Sequence, residues 1–121
     1  MKHVLLAEDQ APTARIMRMA LEKAGYQVSV VHNGRDALDT LLKNQPDVLI
    51  TDIEMPVMSG RELCEAIETQ IPDRTFPIYV CTSVTDMEHR EWTKQINNLS
   101  FLEKPVSIKK LTSELAGRLS S

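Results

Sequence analysis

"VLITDIEMPVMSG", residues 48–60, decides how the chain is read. Four apolar or β-branched residues run without alternation into Asp52, with Glu54 two places on. A helix-breaking Met55-Pro56 follows, then Ser59-Gly60. An apolar run with no polar alternation, closed by turn residues, is the pattern of a strand covered on both faces. Such a strand has no ordinary reason to end on a carboxylate.

The sequence on either side repeats the pattern. "HVLLAE" (3–8) predicts a first strand, followed by a helix over 12–25 with Met17, Ala20, Leu21 and Ala24 on one face and Gly25 as its stop. "QVSVVH" (27–32) predicts a second strand, and "RDALDTLLKN" a helix with Ala37, Leu38, Leu41 and Leu42 on a shared face. The third strand is expected over 47–51, after which Ser59 caps a helix carrying Leu63, Ala66 and Ile67. "PIYVCT" (77–82) is a fourth strand, 86–97 a sparsely apolar helix, and "SFLE" (100–103) a short fifth strand. Ser107 then caps a final helix with Ile108, Leu111, Leu115 and Leu119. Five βα units with continuously apolar strands predict an α/β protein with a parallel sheet covered on both sides.

With 121 residues the chain fits one domain, 1–121. Its net charge of −3 argues against a nucleic-acid-binding surface on this segment, since phosphate neutralisation needs clustered Lys and Arg. Glu8, Asp9 and Arg15 interrupt any signal peptide, and no apolar run approaches a membrane span. Cys64 and Cys81 lie in apolar-periodic segments without metal-ligand spacing and read as small buried hydrophobes. The expected location is the cytoplasm.

In an open parallel sheet, ligands bind beyond the carboxyl ends of the strands. Glu8-Asp9 close the first strand, Asp52 the third, Thr82-Ser83 the fourth and Lys104-Pro105 the fifth. Three carboxylates, a hydroxyl and an ammonium are thus expected on one rim. Taken singly, Asp9 reads equally well as a helix cap, and Lys104 reads better as a surface lysine; together they read as a site. Carboxylates about 5 Å apart at an effective dielectric near 20 repel by roughly 3 kcal/mol per pair. A divalent cation cancels that charge. An all-oxygen donor set favours Mg²⁺, with Mn²⁺ the second candidate, and suits phosphoryl transfer.

These residues carry a resemblance. "LLAEDQ", "DIEMPVMSG", "VCTS" and "FLEKP", in this order and spacing, make the chain similar along essentially its whole length to the receiver (phosphoacceptor) domain of two-component response regulators, the CheY-like superfamily. The resemblance implies a flavodoxin-like, doubly wound (βα)5 three-layer sandwich with parallel strand order 2-1-3-4-5. It implies that Asp52 accepts a phosphoryl group from a phosphohistidine on a sensor histidine kinase or histidine phosphotransfer protein. Mg²⁺ would be held by Asp9, Asp52 and the backbone carbonyl of Glu54, with Glu8 acting mainly through water. Lys104 would stabilise the phosphoryl charge, and Lys104-Pro105 would be a cis peptide. Thr82 and Phe101 would form the switch, moving inward on phosphorylation. A downstream output protein or domain would then meet the face made by the fourth helix, fifth strand and final helix. The resemblance further implies a signalling domain, not an enzyme beyond its own phosphorylation and slow dephosphorylation, either a monomer or a phosphorylation-dependent dimer.

Some positions depart from the common pattern. Glu8 stands where many members carry Asp, and Ser83 where alanine is frequent. Asn97 occupies the place of a helix-ending glycine, which asparagine can serve. Glu54 and Val84 flank the site. Trp92 is expected to be partly buried, and Ile16 to lie beside the inward stripe of the first helix, where a kinase could meet it. Other readings stay open: a receiver cut from a transcription factor or hybrid kinase, a phosphorylation-independent pseudo-receiver, or an aspartyl-phosphate hydrolase or mutase. Haloacid-dehalogenase-like enzymes of that last kind want an aspartate where Glu54 stands. A flavodoxin-like cofactor site is opposed by acids in "EDQAPTAR", where a phosphate-cradling loop needs donors.

Overall fold

Residues 1–83 and 91–119 are described here, from a computed structural model. Five strands, β1 (His3–Ala7), β2 (Gln27–Val31), β3 (Val48–Asp52), β4 (Ile78–Thr82) and β5 (Leu99–Glu103), form one sheet in the order β2-β1-β3-β4-β5. Every pairing is parallel. Four α-helices are described: α1 (Ala11–Lys23), α2 (Gly34–Lys43), α3 (Gly60–Gln70) and α4 (Ile108–Leu119). This is the expected doubly wound fold with its 2-1-3-4-5 order. Residues 86–90 of the helix expected over 86–97 lie outside the described residues, as does Val84; 91–95 form a short 3₁₀ helix.

Strand periodicity explains the two cores. Val4, Leu6, Val48, Ile50, Tyr79 and Cys81 turn to one face, where they bury with Met17 and Leu21 of α1 and Leu111 and Leu115 of α4. Leu5, Ala7, Leu49, Ile78 and Val80 turn to the other, against Leu38 and Leu41 of α2 and Leu63 and Ile67 of α3. Each fully buried side chain of this size contributes about 1.5–3 kcal/mol. Central strands therefore carry no polar face, which is why they read as unbroken apolar runs.

The helices differ from expectation at their margins. Pro12 falls in the first turn of α1, where its missing N–H costs nothing, so the helix begins at Ala11. Ala24 is its exposed C-cap and not part of the inward face, and Gly25 beyond it takes a φ of 101°. Leu42 does not share the buried stripe of α2 but lies on the surface. Asn33 caps α2 through its side chain, which accepts from the Asp36 N–H at 2.8 Å. Ser59 Oγ caps α3 by accepting from the Glu62 N–H, and the Ser59 N–H donates in return to Glu62 Oε1. Ser107 Oγ accepts from the Lys110 N–H at 3.2 Å, as its capping role requires. The left-handed residue before β5 is Asn98, φ 55°, and not Asn97.

The α3–β4 loop holds a feature with no counterpart in the sequence reading. The Arg74 side chain is only 5 % exposed and pairs with Glu68 Oε1 at 3.3 Å. Its guanidinium also donates to the Phe76 carbonyl at 2.6 Å and to the Asn97 carbonyl, and sits over the Phe76 ring. Arg74 thereby ties this loop to the segment leading into β5.

Candidate functional site

The sheet reverses its direction of winding between β1 and β3, and the crevice beyond these strand ends is the natural ligand position. Glu8 and Asp9 leave β1 there, and Asp52 is the last residue of β3. One carboxylate oxygen from each of Glu8, Asp9 and Asp52 lies within 4.8 Å of the others. Glu8 and Asp52 are buried, 4 % and 5 % exposed. Lys104 Nζ lies 2.6 Å from Asp52 Oδ1.

Local structure holds each acid. Glu8 Oε2 accepts from the Gln10 N–H at 3.0 Å, its backbone N–H donates to Val31, and its carbonyl accepts from His32 Nδ1 at 3.1 Å. That carbonyl can only accept, so Nδ1 bears the proton. Gln10, not Asp9, is the N-cap of α1, and no side chain caps there; Asp9 is left to the acidic cluster. Asp52 Oδ1 accepts from the Ile53 N–H at 2.9 Å.

The turn behind Asp52 is tightly drawn. The Met58 N–H donates to the Pro56 carbonyl at 2.7 Å around Val57, whose φ is 68°. A positive φ on a β-branched residue is uncommon and costs on the order of 1–3 kcal/mol. The Gly60 N–H closes the loop onto the Ile53 carbonyl at 2.6 Å. A Cβ on Gly60 would lie 2.1 Å from the Asp52 carbonyl oxygen, and one on Gly34 would lie 2.4 Å from that of Met58. Glycine is required at both for steric reasons. Glu54, within this turn, is exposed.

Beyond β4 and β5, the Lys104 N–H donates to the Thr82 carbonyl at 2.8 Å, and Lys104-Pro105 is a cis peptide. Thr82 is buried, and its hydroxyl donates to the Ser83 carbonyl at 3.1 Å. Phe101 stands opposite Val80 in the sheet register and packs, half-buried, on the α2–α3 core together with Trp92. Ile16, 61 % exposed, lies beside the buried stripe of α1 as expected.

Electrostatics matches the geometry. Burial pushes the Glu8 carboxyl up, with the Asp52 charge adding to it against the opposing pull of the Gln10 N–H and Lys104. Burial alone would lower Lys104, but its hydrogen bond to Asp52 and the carboxylate charges around it leave its pKa raised. Three crowded acids against one ammonium, all with oxygen donors, fit a hard divalent cation.

The sequence model of the response regulator receiver domain matches residues 4–116. The chain belongs to this family. Among its relatives, the receiver domain is 27% identical to the polar-differentiation response regulator DivK of Brucella anthropi, over 88% of this chain and 87% of that protein. It is 28% identical to the response regulator MprA of Mycobacterium avium, over 96% of this chain but only 50% of MprA, so it spans about half of that longer relative. The solved chemotaxis response regulator CheY4 of Vibrio cholerae superposes with a TM-score of 0.86 at 31% identity, covering 98% of each chain. The receiver domain of a Pseudomonas aeruginosa sensor histidine kinase superposes with a TM-score of 0.87 at 26% identity, covering 99% of this chain and 98% of that one. That structure holds a magnesium ion in its active-site cleft.

Proposed function

We propose that this receiver domain is a phosphorelay switch whose acceptor is Asp52. The observation that carries the reading is the meeting of Glu8, Asp9 and Asp52 within 4.8 Å, with Lys104 Nζ 2.6 Å from the central carboxylate. An Asp52 oxygen attacks the phosphorus of a phosphohistidine on a sensor kinase or phosphotransfer protein, and the bond to the imidazole nitrogen breaks. Lys104 exchanges its contact with the carboxylate for one with a phosphoryl oxygen, so the ammonium meets charge on the group being transferred. Glu8, Asp9, Asp52 and the Glu54 carbonyl would hold Mg²⁺, or Mn²⁺ in its place, which supplies charge neutralisation at the phosphoryl oxygens.

Signalling follows from Thr82 and Phe101. The Thr82 hydroxyl leaves the Ser83 carbonyl for the phosphoryl group, and Phe101 follows inward, shifting the population between two packings. The altered face comprises β5, α4 and the segment before β5, where an output protein or domain binds. The domain works in the cytoplasm as a monomer or phosphorylation-dependent dimer, and its only catalysis is its own phosphorylation and slow loss of the group.

Incubation with a small acyl phosphate and Mg²⁺ tests the acceptor: wild type gains one phosphoryl group and Asp52→Ala gains none. Equal labelling of the two removes Asp52 from the role.

A further inference from the structure

Beside the acidic cluster the surface folds into a cleft of about 500 Å³, within the size range of small-molecule sites. Ile16 and Met17 of α1, Cys81 of β4, and Val106 and Ile108 behind β5 give it apolar walls. Glu8 and Lys104 also line it, and both belong to the acceptor site. The cleft thus shares two side chains with the acidic site, and Lys104 is the one cation among its described lining residues.

Resting on the reading of Asp52 as acceptor, we propose that this cleft receives the organic part of small acyl phosphates, and that donors with an aromatic acyl body phosphorylate the domain in preference to acetyl phosphate. The chemistry balances without a further reactant. An Asp52 oxygen forms a bond to phosphorus, the bond from phosphorus to the acyl oxygen breaks, and its electron pair leaves with the carboxylate product. Attacking and leaving oxygens are in line, so the acyl group departs on the side of phosphorus away from Asp52. Lys104 stays with a phosphoryl oxygen, and Ile16 and Val106 receive the apolar body of the departing acyl group.

The test compares initial rates of phosphorylation by acetyl phosphate and benzoyl phosphate with Mg²⁺, followed by intact mass and normalised to each donor's hydrolysis in buffer. Benzoyl phosphate is expected to react about tenfold faster, the factor that partial burial of one ring supplies. Ile16→Asp and Val106→Asp, checked for folding by circular dichroism, are expected to cut that preference severalfold. Equal normalised rates, or a preference that both variants retain, overturn the cleft's role while leaving Asp52 as the acceptor. Absence of mass gain with both donors overturns the acceptor reading and this inference together.

Discussion

Lys104 Nζ and Asp52 Oδ1 are 2.6 Å apart, although their residues come from the ends of non-adjacent strands, and both atoms lie at the rim where Glu8 and Asp9 also converge. The ammonium is the partner of a carboxylate that is only 5 % exposed. Removing it leaves that charge among two others. Lys104→Met is therefore expected to lower stability by about 1–2 kcal/mol in metal-free buffer, less than a fully buried pair because the lysine is part-exposed. Added Mg²⁺ should restore part of the loss. Urea denaturation with and without Mg²⁺ measures both; an unaffected metal-free midpoint would count against the pairing.

Two glycines predict opposite outcomes. Gly60→Ala places a methyl 2.1 Å from the Asp52 carbonyl oxygen, a backbone atom that cannot step aside, and should cost about 3 kcal/mol or more. Gly117, inside α4, has nothing within 4 Å of the same position. Gly117→Ala should stabilise by about 0.5–1 kcal/mol. Denaturation midpoints of the two variants decide, and a harmless Gly60→Ala would contradict the close approach behind Asp52.

The cap of α3 predicts a pH dependence. Bonds from the Ser59 backbone N–H and hydroxyl hold the Glu62 carboxyl below its ordinary value of 4.5. The unfolded chain binds that proton more readily, so the stabilisation is fully present above 4.5 and is lost as pH falls through the lower folded value. Ser59→Ala should cost about 1 kcal/mol at neutral pH. In Glu62→Gln the acid-dependent part should vanish, which chemical denaturation across the acidic range would reveal.

Arg74 predicts a cost away from the site. Its guanidinium answers Glu68 and the carbonyls of Phe76 and Asn97, and Arg74→Met would leave them short of a donor. A loss of about 3 kcal/mol is expected. Arg74→Lys should recover little, because one ammonium cannot reproduce a planar fork over a ring. Full rescue by lysine would contradict the arrangement.

Where burial and chain polarity dictate position, the sequence was legible. Leu49 and Ile50 must face opposite cores, so β3 shows no alternation, and Asp52 at its end marks the rim. Glu8, Asp9 and Lys104 followed from the same rule applied to other strands. Arg74 was not legible, because two of its partners are backbone carbonyls, one 23 residues away, and a carbonyl carries no side-chain signature. Val57 hid its left-handed backbone for a related reason: valine disfavours that region, and only the bond across it from Met58 to Pro56 compels it. The shift from Asn97 to Asn98 shows the same limit, since adjacent asparagines are equally suited to the turn and the Ile78 N–H, which donates to Asn98, selects between them. His32 carries no signal of its grip on the Glu8 carbonyl.

Cys81 stands opposite Asp52 in the paired register of β3 and β4, and burial pushes its thiol up to about 12. Sulfur only competes for electrophiles once it has lost its proton. At neutral pH the Cys81 thiol therefore keeps its proton and does not compete with the proposed acceptor, a protection set first by desolvation and reinforced by the Asp52 and Glu8 charges. A polar replacement beside Cys81 that admitted water would erode this protection and expose the domain to thiol-directed inactivation.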